Sequence, residues 1–170
     1  MSKLLLVGLL LTMSFQPLNT ETDSITSNYI SSGFTTVEKA TAQYEKNTRL
    51  DTITPQSIPF KPTHSFGRYN DRGYYKGKLQ LEYVDSSNMD VMVVWVAGQD
   101  QEDFPRAISK YVPLKNGMDG SYVEGKEHAS ISKLAFEYEG NHYMIEYIRA
   151  LSMPYVKEGS LVEVANSIIQ

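Results

Sequence analysis

Residues 133–147 constrain the fold more than any other stretch of the chain. Leu134, Phe136 and Tyr138 alternate with Lys133, Ala135, Glu137 and Glu139, and Tyr143, Ile145 and Tyr147 alternate with His142, Met144 and Glu146. A two-residue side-chain period is that of a strand with one apolar face. Two such strands around Gly140-Asn141 predict a hairpin. With Gly140-Asn141 as a two-residue loop, Tyr138 faces Tyr143, Phe136 faces Ile145 and Leu134 faces Tyr147. All three apolar pairs then share one face, and a one-residue slip would scatter them.

A hairpin with one apolar face needs a cover. Leu161, Val164, Ala165, Ile168 and Ile169 provide it, falling on one stripe of a helix. Ser160 and Glu163 have the spacing of a capping box at its start. So short a helix is marginal in water, so its stripe must dock on the sheet. Thr35 and Glu38 have the same capping spacing, and Val37, Ala40, Thr41 and Tyr44 share a face. These residues predict a second helix over 36–47.

Strand patterns fill the middle. Leu79, Leu81 and Tyr83 alternate with Gln80 and Glu82, which predicts a strand with one wet face. Residues 91–97, VMVVWVA, are apolar on both faces and predict a central strand covered on both sides. Trp95, the one tryptophan, reads as core packing. Residues 65–75 read as an irregular strand or hairpin, and residues 107–114 and 121–124 as further strands about the turn at 116–120. The three prolines of residues 53–62 exclude helix and central strand there. That stretch is expected to cross the domain extended, anchored by Ile58 and Phe60. The expected fold is α+β, an antiparallel β-sheet with an N-terminal helix and a C-terminal amphipathic helix packed on it, in one domain over 35–170.

Ahead of that domain, Lys3 precedes an apolar run over 4–11, the layout of a signal peptide, and the run is too short to span a bilayer. The reading is a signal peptide over 1–20, then a Ser-, Thr- and Asn-rich flexible lead-in over 21–34. No stable transmembrane span is expected after cleavage. The chain has 170 residues, no cysteine and a net charge of −4. Without cysteine there are no disulfides, thiolate metal sites or cysteine nucleophile. The acidic balance offers no field to gather nucleic acid. An exported chain without disulfides fits a secreted or extracytoplasmic protein of the bacterial cell surface.

Residues 134–143 (LAFEYEGNHY) and 159–168 (GSLVEVANSI) resemble an uncharacterised extracytoplasmic domain family of Gram-positive bacteria. Residues 36–40 and 58–60 are similar to that family's opening helix and proline-marked segment. The family forms the outer C-terminal part of anti-sigma-like and sporulation-related membrane proteins. The resemblance implies a non-catalytic extracytoplasmic domain, and it supplies no catalytic residue. This chain departs from the pattern in lacking a sigma-binding region and an internal spanning helix.

Motifs for catalysis are sparse. There is no Gly-x-Ser-x-Gly elbow, and Ser121 reads as a turn residue. His64, His128 and His142 lack metal-ligand spacing, and no cofactor motif is present. Residues 85–90 carry oxygen ligands but not the glycine and closing glutamate of a calcium loop, and read as a turn. Glu137 and Glu146 are the one carboxylate pair weighed for glycoside hydrolysis. The candidate binding residues are Tyr69, Tyr74 and Tyr75, as a stacking platform, and Asp100, Glu102 and Asp103, in an acidic loop. The expected function is therefore a non-catalytic binding or sensory domain for a protein, peptide or wall component. Alternatives are a lipid or lipoprotein carrier lined by residues 91–96, and a cell-wall-directed hydrolase.

Overall fold

The computed structural model describes residues 20–99, 110–125, 131–149 and 158–170. Helices α1 (Thr20–Ser31) and α2 (Val37–Thr48) come first. Strands β1 (His64–Tyr69), β2 (Leu79–Asp85), β3 (Asp90–Gly98), β4 (Lys110–Pro113), β5 (Asp119–Val123), β6 (Ile131–Tyr138) and β7 (Asn141–Ile148) follow, and α3 (Glu158–Ile168) closes the chain. The strands form one antiparallel sheet in the order β1-β2-β3-β7-β6-β5-β4. Fold class is thus α+β, as the patterns predict. Among the described residues, no helix is long and apolar enough to cross a membrane.

One sheet face carries the core. Leu79, Leu81, Met92, Val94, Val96, Leu134, Tyr143 and Ile145 are buried there, in one cluster with Ala40 and Tyr44 of α2 and the apolar stripe of α3. All five stripe residues read from the sequence are buried. Ile58 and Phe60 pack against this cluster from the proline-rich segment, with Phe60 5.5 Å from the ring of Tyr147. Strand β3 lies inside the sheet and is buried over nearly its whole length.

The closing hairpin keeps its predicted face but not its predicted loop. The pairs are Tyr138 with Asn141, Phe136 with Tyr143 and Leu134 with Ile145, so the loop is Glu139-Gly140. Both loop residues have positive φ, 48° and 77°, as the twist-matched two-residue turn requires. The shift moves each partner by two residues, which preserves side-chain parity and hence the apolar face. Asn141 is drawn into the sheet because its side chain is needed there. It accepts from Tyr44 Oη at 2.7 Å and donates to the Asp51 carbonyl at 2.8 Å.

The helix starts also move. Thr36, not Thr35, caps α2, its Oγ1 accepting from the Lys39 amide at 3.3 Å. Thr35 exchanges two 2.8 Å backbone hydrogen bonds with Gly67 instead. Helix α3 begins at Glu158, so Ser160 lies inside it, and Glu158 pairs with Lys110.

The largest difference lies over 21–34. A flexible lead-in was the expectation, and the structure has α1 there, closed by Gly33 at φ 85° with the Gly33 amide on the Ile30 carbonyl. The Thr35–Gly67 bridge carries the chain past the edge of β1. Helix α2 then lies on the core face, while Tyr29 and Phe34 from the α1 side reach the opposite face. The reason is chemical. Tyr29 and Phe34 pair with each other, with ring centroids 5.0 Å apart, and Tyr29 stacks on Phe66 at 4.0 Å. Polar composition hid these two anchors.

Candidate functional site

The second sheet face is built by the residues between the core positions. One row crosses all seven strands as Arg68, Gln80, Trp95, Met144, Ala135, Ser121 and Tyr111. The adjacent row runs Phe66, Glu82, Val93, Glu146 and Lys133. Gln80 and Glu82 were expected on a wet face, and both are buried. Tyr29 donates to Glu82 Oε2 at 2.6 Å, Gln80 Nε2 donates to Glu82 Oε1 at 2.5 Å, and Arg68 Nη2 donates to Gln80 Oε1 at 2.7 Å. Arg68 also holds the Ser32 carbonyl at 3.0 Å and lies 4.4 Å from the Phe34 ring centroid. Burial, then the bond to Glu82, push the Tyr29 phenol well above its ordinary range.

Trp95 stands beside this network. Its Nε1 donates to Glu146 Oε2 at 3.1 Å, and Lys133 Nζ sits 2.5 Å from Glu146 Oε1. The residue is only 8% exposed, so the core-packing reading holds for its burial, but it packs on the second face. Its cover is Tyr75, stacked at 4.8 Å with the planes 24° apart.

Tyr75 and its neighbour Tyr74 form a ledge on the β1–β2 connection. Their rings meet edge to face at 5.1 Å and 86°, with Tyr74 76% exposed and Tyr75 44% exposed. Lys78 Nζ lies 5.9 and 5.8 Å from the two ring centroids. The turn beneath them is knit by its own backbone. Asn70 donates to the Lys78 carbonyl at 2.9 Å, Gly77 donates to the Asn70 carbonyl at 2.7 Å, and Lys76 donates to the Gly73 carbonyl at 3.1 Å. Gly73 and Gly77 supply the positive φ values, 77° and 82°, that the turn needs.

The candidate residues therefore separate. Tyr74 and Tyr75 come together. Tyr69 does not join them: it lies on the core face, packed edge-on to Tyr44 at 6.1 Å, because its register partner is Leu79. Asp100, Glu102 and Asp103 lie outside the described residues. Sequence reasoning missed Lys78 and the accessory part played by Trp95. The alternation of β3 could have shown that Trp95 and Val94 face opposite ways.

Other weighed groups are occupied by their neighbours. Asp85 accepts from the Ser87 amide at 2.9 Å and from Asn88 Nδ2 at 2.7 Å, which forms the expected turn and lowers its pKa, the Asn88 bond contributing most. Asp90 accepts from Tyr147 Oη at 3.1 Å and lies 3.3 Å from Arg149 Nε. Among the described residues, no group of three or more His, Asp or Glu is placed to hold a metal ion. Glu137 pairs with His142 across the hairpin at 3.3 Å, while Glu146 sits opposite Lys133. Glu137 and Glu146 are thus offset by four residues, about 13 Å of strand. Glycosidase carboxyl pairs are separated by about 5 to 9.5 Å. Met92, Val94 and Val96, weighed as the lining of a lipid cavity, are buried in the packed core. A shallow groove of about 450 Å³ runs between Ser57, Lys115 and α3. Along it Ser57 Oγ donates to Glu163 at 3.0 Å and the Lys115 amide donates to Asn166 Oδ1 at 2.8 Å.

Fold and site together describe an α+β domain with a packed core on one sheet face and an aromatic ledge on the other. Comparison with protein-family models, curated proteins and solved structures gives no match.

Proposed function

We propose that the chain is a non-catalytic extracytoplasmic binding or sensory domain, and that the Tyr74–Tyr75 ledge over Trp95 is its contact surface. One observation carries this reading: two adjacent exposed tyrosines meet edge to face on a hydrogen-bonded turn, and Tyr75 is stacked on the buried Trp95. Rigid exposed tyrosines offer large contact area at small entropic cost, which is how recognition surfaces use them. The charge-then-apolar start of the sequence and the resemblance to extracytoplasmic domains support the location. The partner is a protein, peptide or wall component.

Co-sedimentation of the purified chain with isolated cell envelopes tests the surface. The wild type should bind saturably, and the Tyr74→Ala/Tyr75→Ala double variant should lose binding while keeping its far-UV circular dichroism. Equal binding by both proteins overturns the assignment. For the location, N-terminal mass analysis of protein recovered from the medium should show a shortened chain. An intact Met1 would count against the leader.

A further inference from the structure

Helix α1 has little local reason to be a helix. Of its 12 residues, TETDSITSNYIS, Glu21 alone is a strong helix former. Helix α2, of the same length, has Glu38, Lys39, Ala40, Ala42, Gln43, Glu45 and Lys46. Even a good sequence of this length is marginal as an isolated helix in water. Its burial is slight as well. From Ser24 to Ser31 no residue is fully buried, and Ile25, Thr26 and Tyr29 are half-buried along one side. Ile30 is 60% exposed. Helix α2 buries Ala40 and Tyr44, and α3 buries Leu161, Val164, Ala165 and Ile168. Helicity in α1 therefore depends on docking, in which Tyr29 lies on Phe66 and donates to Glu82.

The chain just after the helix is fixed. Phe34 is buried, and Thr35 holds Gly67 through two backbone hydrogen bonds. Between α1 and these holds lie Ser32 and Gly33, both exposed, with Gly33 at φ 85°. A pivot there moves α1 without disturbing α2. The surface under the helix also tolerates its departure. Without Tyr29, Glu82 still accepts from Gln80, and Gln80 still accepts from Arg68. That chain carries opposite charges at its two ends, so no lone buried charge is created.

We propose that α1 is an order–disorder strap. It is either docked with Tyr29 over Phe66 and Glu82, or released as a flexible segment pivoting at Ser32–Gly33 while the rest of the domain stays folded. The linker-like composition of residues 21–34 describes the released state, and the helix is the docked one. Release uncovers Phe66 and Glu82 on the sheet face that also carries Trp95. The switch does not depend on what the Tyr74–Tyr75 ledge contacts.

Native-state hydrogen exchange of the purified protein, read by mass spectrometry, tests the strap. Amides of α1 should be protected, yet exchange roughly tenfold or more faster than those of α2 and α3. Tyr29→Phe should speed exchange in α1 roughly tenfold, the effect of one buried hydrogen bond, and leave α3 unchanged. Tyr29→Ala should let thermolysin cut at Ile25 or Ile30 while α3 keeps its protection. Exchange of α1 only together with α2 and α3 overturns local release. Absence of protection in α1 of the wild type overturns the docked state. Unchanged exchange in Tyr29→Phe overturns the phenol as anchor. Loss of α3 protection in Tyr29→Ala would make α1 part of the folding core and overturn the strap.

Discussion

Tyr29 Oη donates to Glu82 Oε2 at 2.6 Å across 53 positions of sequence, and this bond joins α1 to the second face of the sheet. Glu82 is buried, so its carboxylate needs the partners that Tyr29 and Gln80 provide. Tyr29→Phe keeps the stack on Phe66 and removes only the hydroxyl. It should cost about 1–3 kcal/mol, the range for leaving a buried acceptor short of a partner. Urea unfolding monitored by Trp95 fluorescence measures it. Unchanged stability would mean that α1 contributes through ring packing alone.

Alkali should unfold the protein early. Burial pushes Tyr83, Tyr143 and Tyr147 up to about 12, and Tyr29 and Tyr44 are raised as well. Unfolded tyrosine titrates near pH 10, as a rough reference. Between these values the folded chain holds more protons than the unfolded chain, so its stability falls as pH rises. The contribution of these phenols is complete below about pH 10 and is lost as pH climbs towards 12. Thermal melts stepped through this window should show a steep loss, smaller in Tyr83→Phe. A flat profile would contradict the burial of these hydroxyls.

At Gly67 the backbone of β1 comes close to α2. A Cβ there would stand 2.7 Å from Ala40 Cβ and 3.1 Å from the Thr36 carbonyl oxygen. At Gly120 the 2.7 Å neighbour is the Leu134 Cδ1 methyl, which can rotate away. Gly67→Ala should therefore cost about 2–3 kcal/mol and Gly120→Ala about 1 kcal/mol. Denaturant midpoints of the two variants decide the order.

Glu139 carries a positive φ of 48° in the hairpin loop, a conformation that a glutamate side chain disfavours. Asparagine before Gly140 is the preferred pair for this turn. Glu139→Asn should stabilise the protein by about 0.5–1 kcal/mol. A lower thermal midpoint would place the turn elsewhere.

Asn141 joins the hairpin to α2 through Tyr44 and to the following segment through the Asp51 carbonyl. Asn141→Ala leaves the buried Tyr44 hydroxyl without that acceptor and should cost about 2 kcal/mol. The double variant with Tyr44→Phe should recover part of the loss, since both polar groups are then gone. Additive losses would mean the two side chains act independently.

Much of the architecture was legible because it rests on periodicity. The faces of β6 and β7 and the stripe of α3 repeat at fixed intervals, and burial follows the interval. The loop of the hairpin was not legible. Loops at 139–140 and 140–141 both keep Phe136 and Tyr143 on the apolar face, so the pattern alone has two solutions. The buried bonds of Asn141 favour one of them. Helix α1 was hidden for a different reason: its composition is that of a linker, and its anchoring partners, Phe66 and Glu82, are far along the chain. In the site, the exposed pair Tyr74 and Tyr75 stood out by composition. Tyr69 looked the same in sequence and belongs to the core.

By itself the sequence determined the class of fold, the apolar faces of the hairpin and the stripe of the closing helix. Each depends on local spacing, which a linear pattern records. Only the tertiary structure decided that Tyr29 closes over Glu82, that Tyr69 and Tyr75 face opposite ways, and that Trp95 backs the ledge. Those outcomes depend on strand register and on the chain crossing the edge of β1 at Thr35. Both are settled by partners dozens of residues away, through hydrogen bonds and close packing that local spacing does not encode.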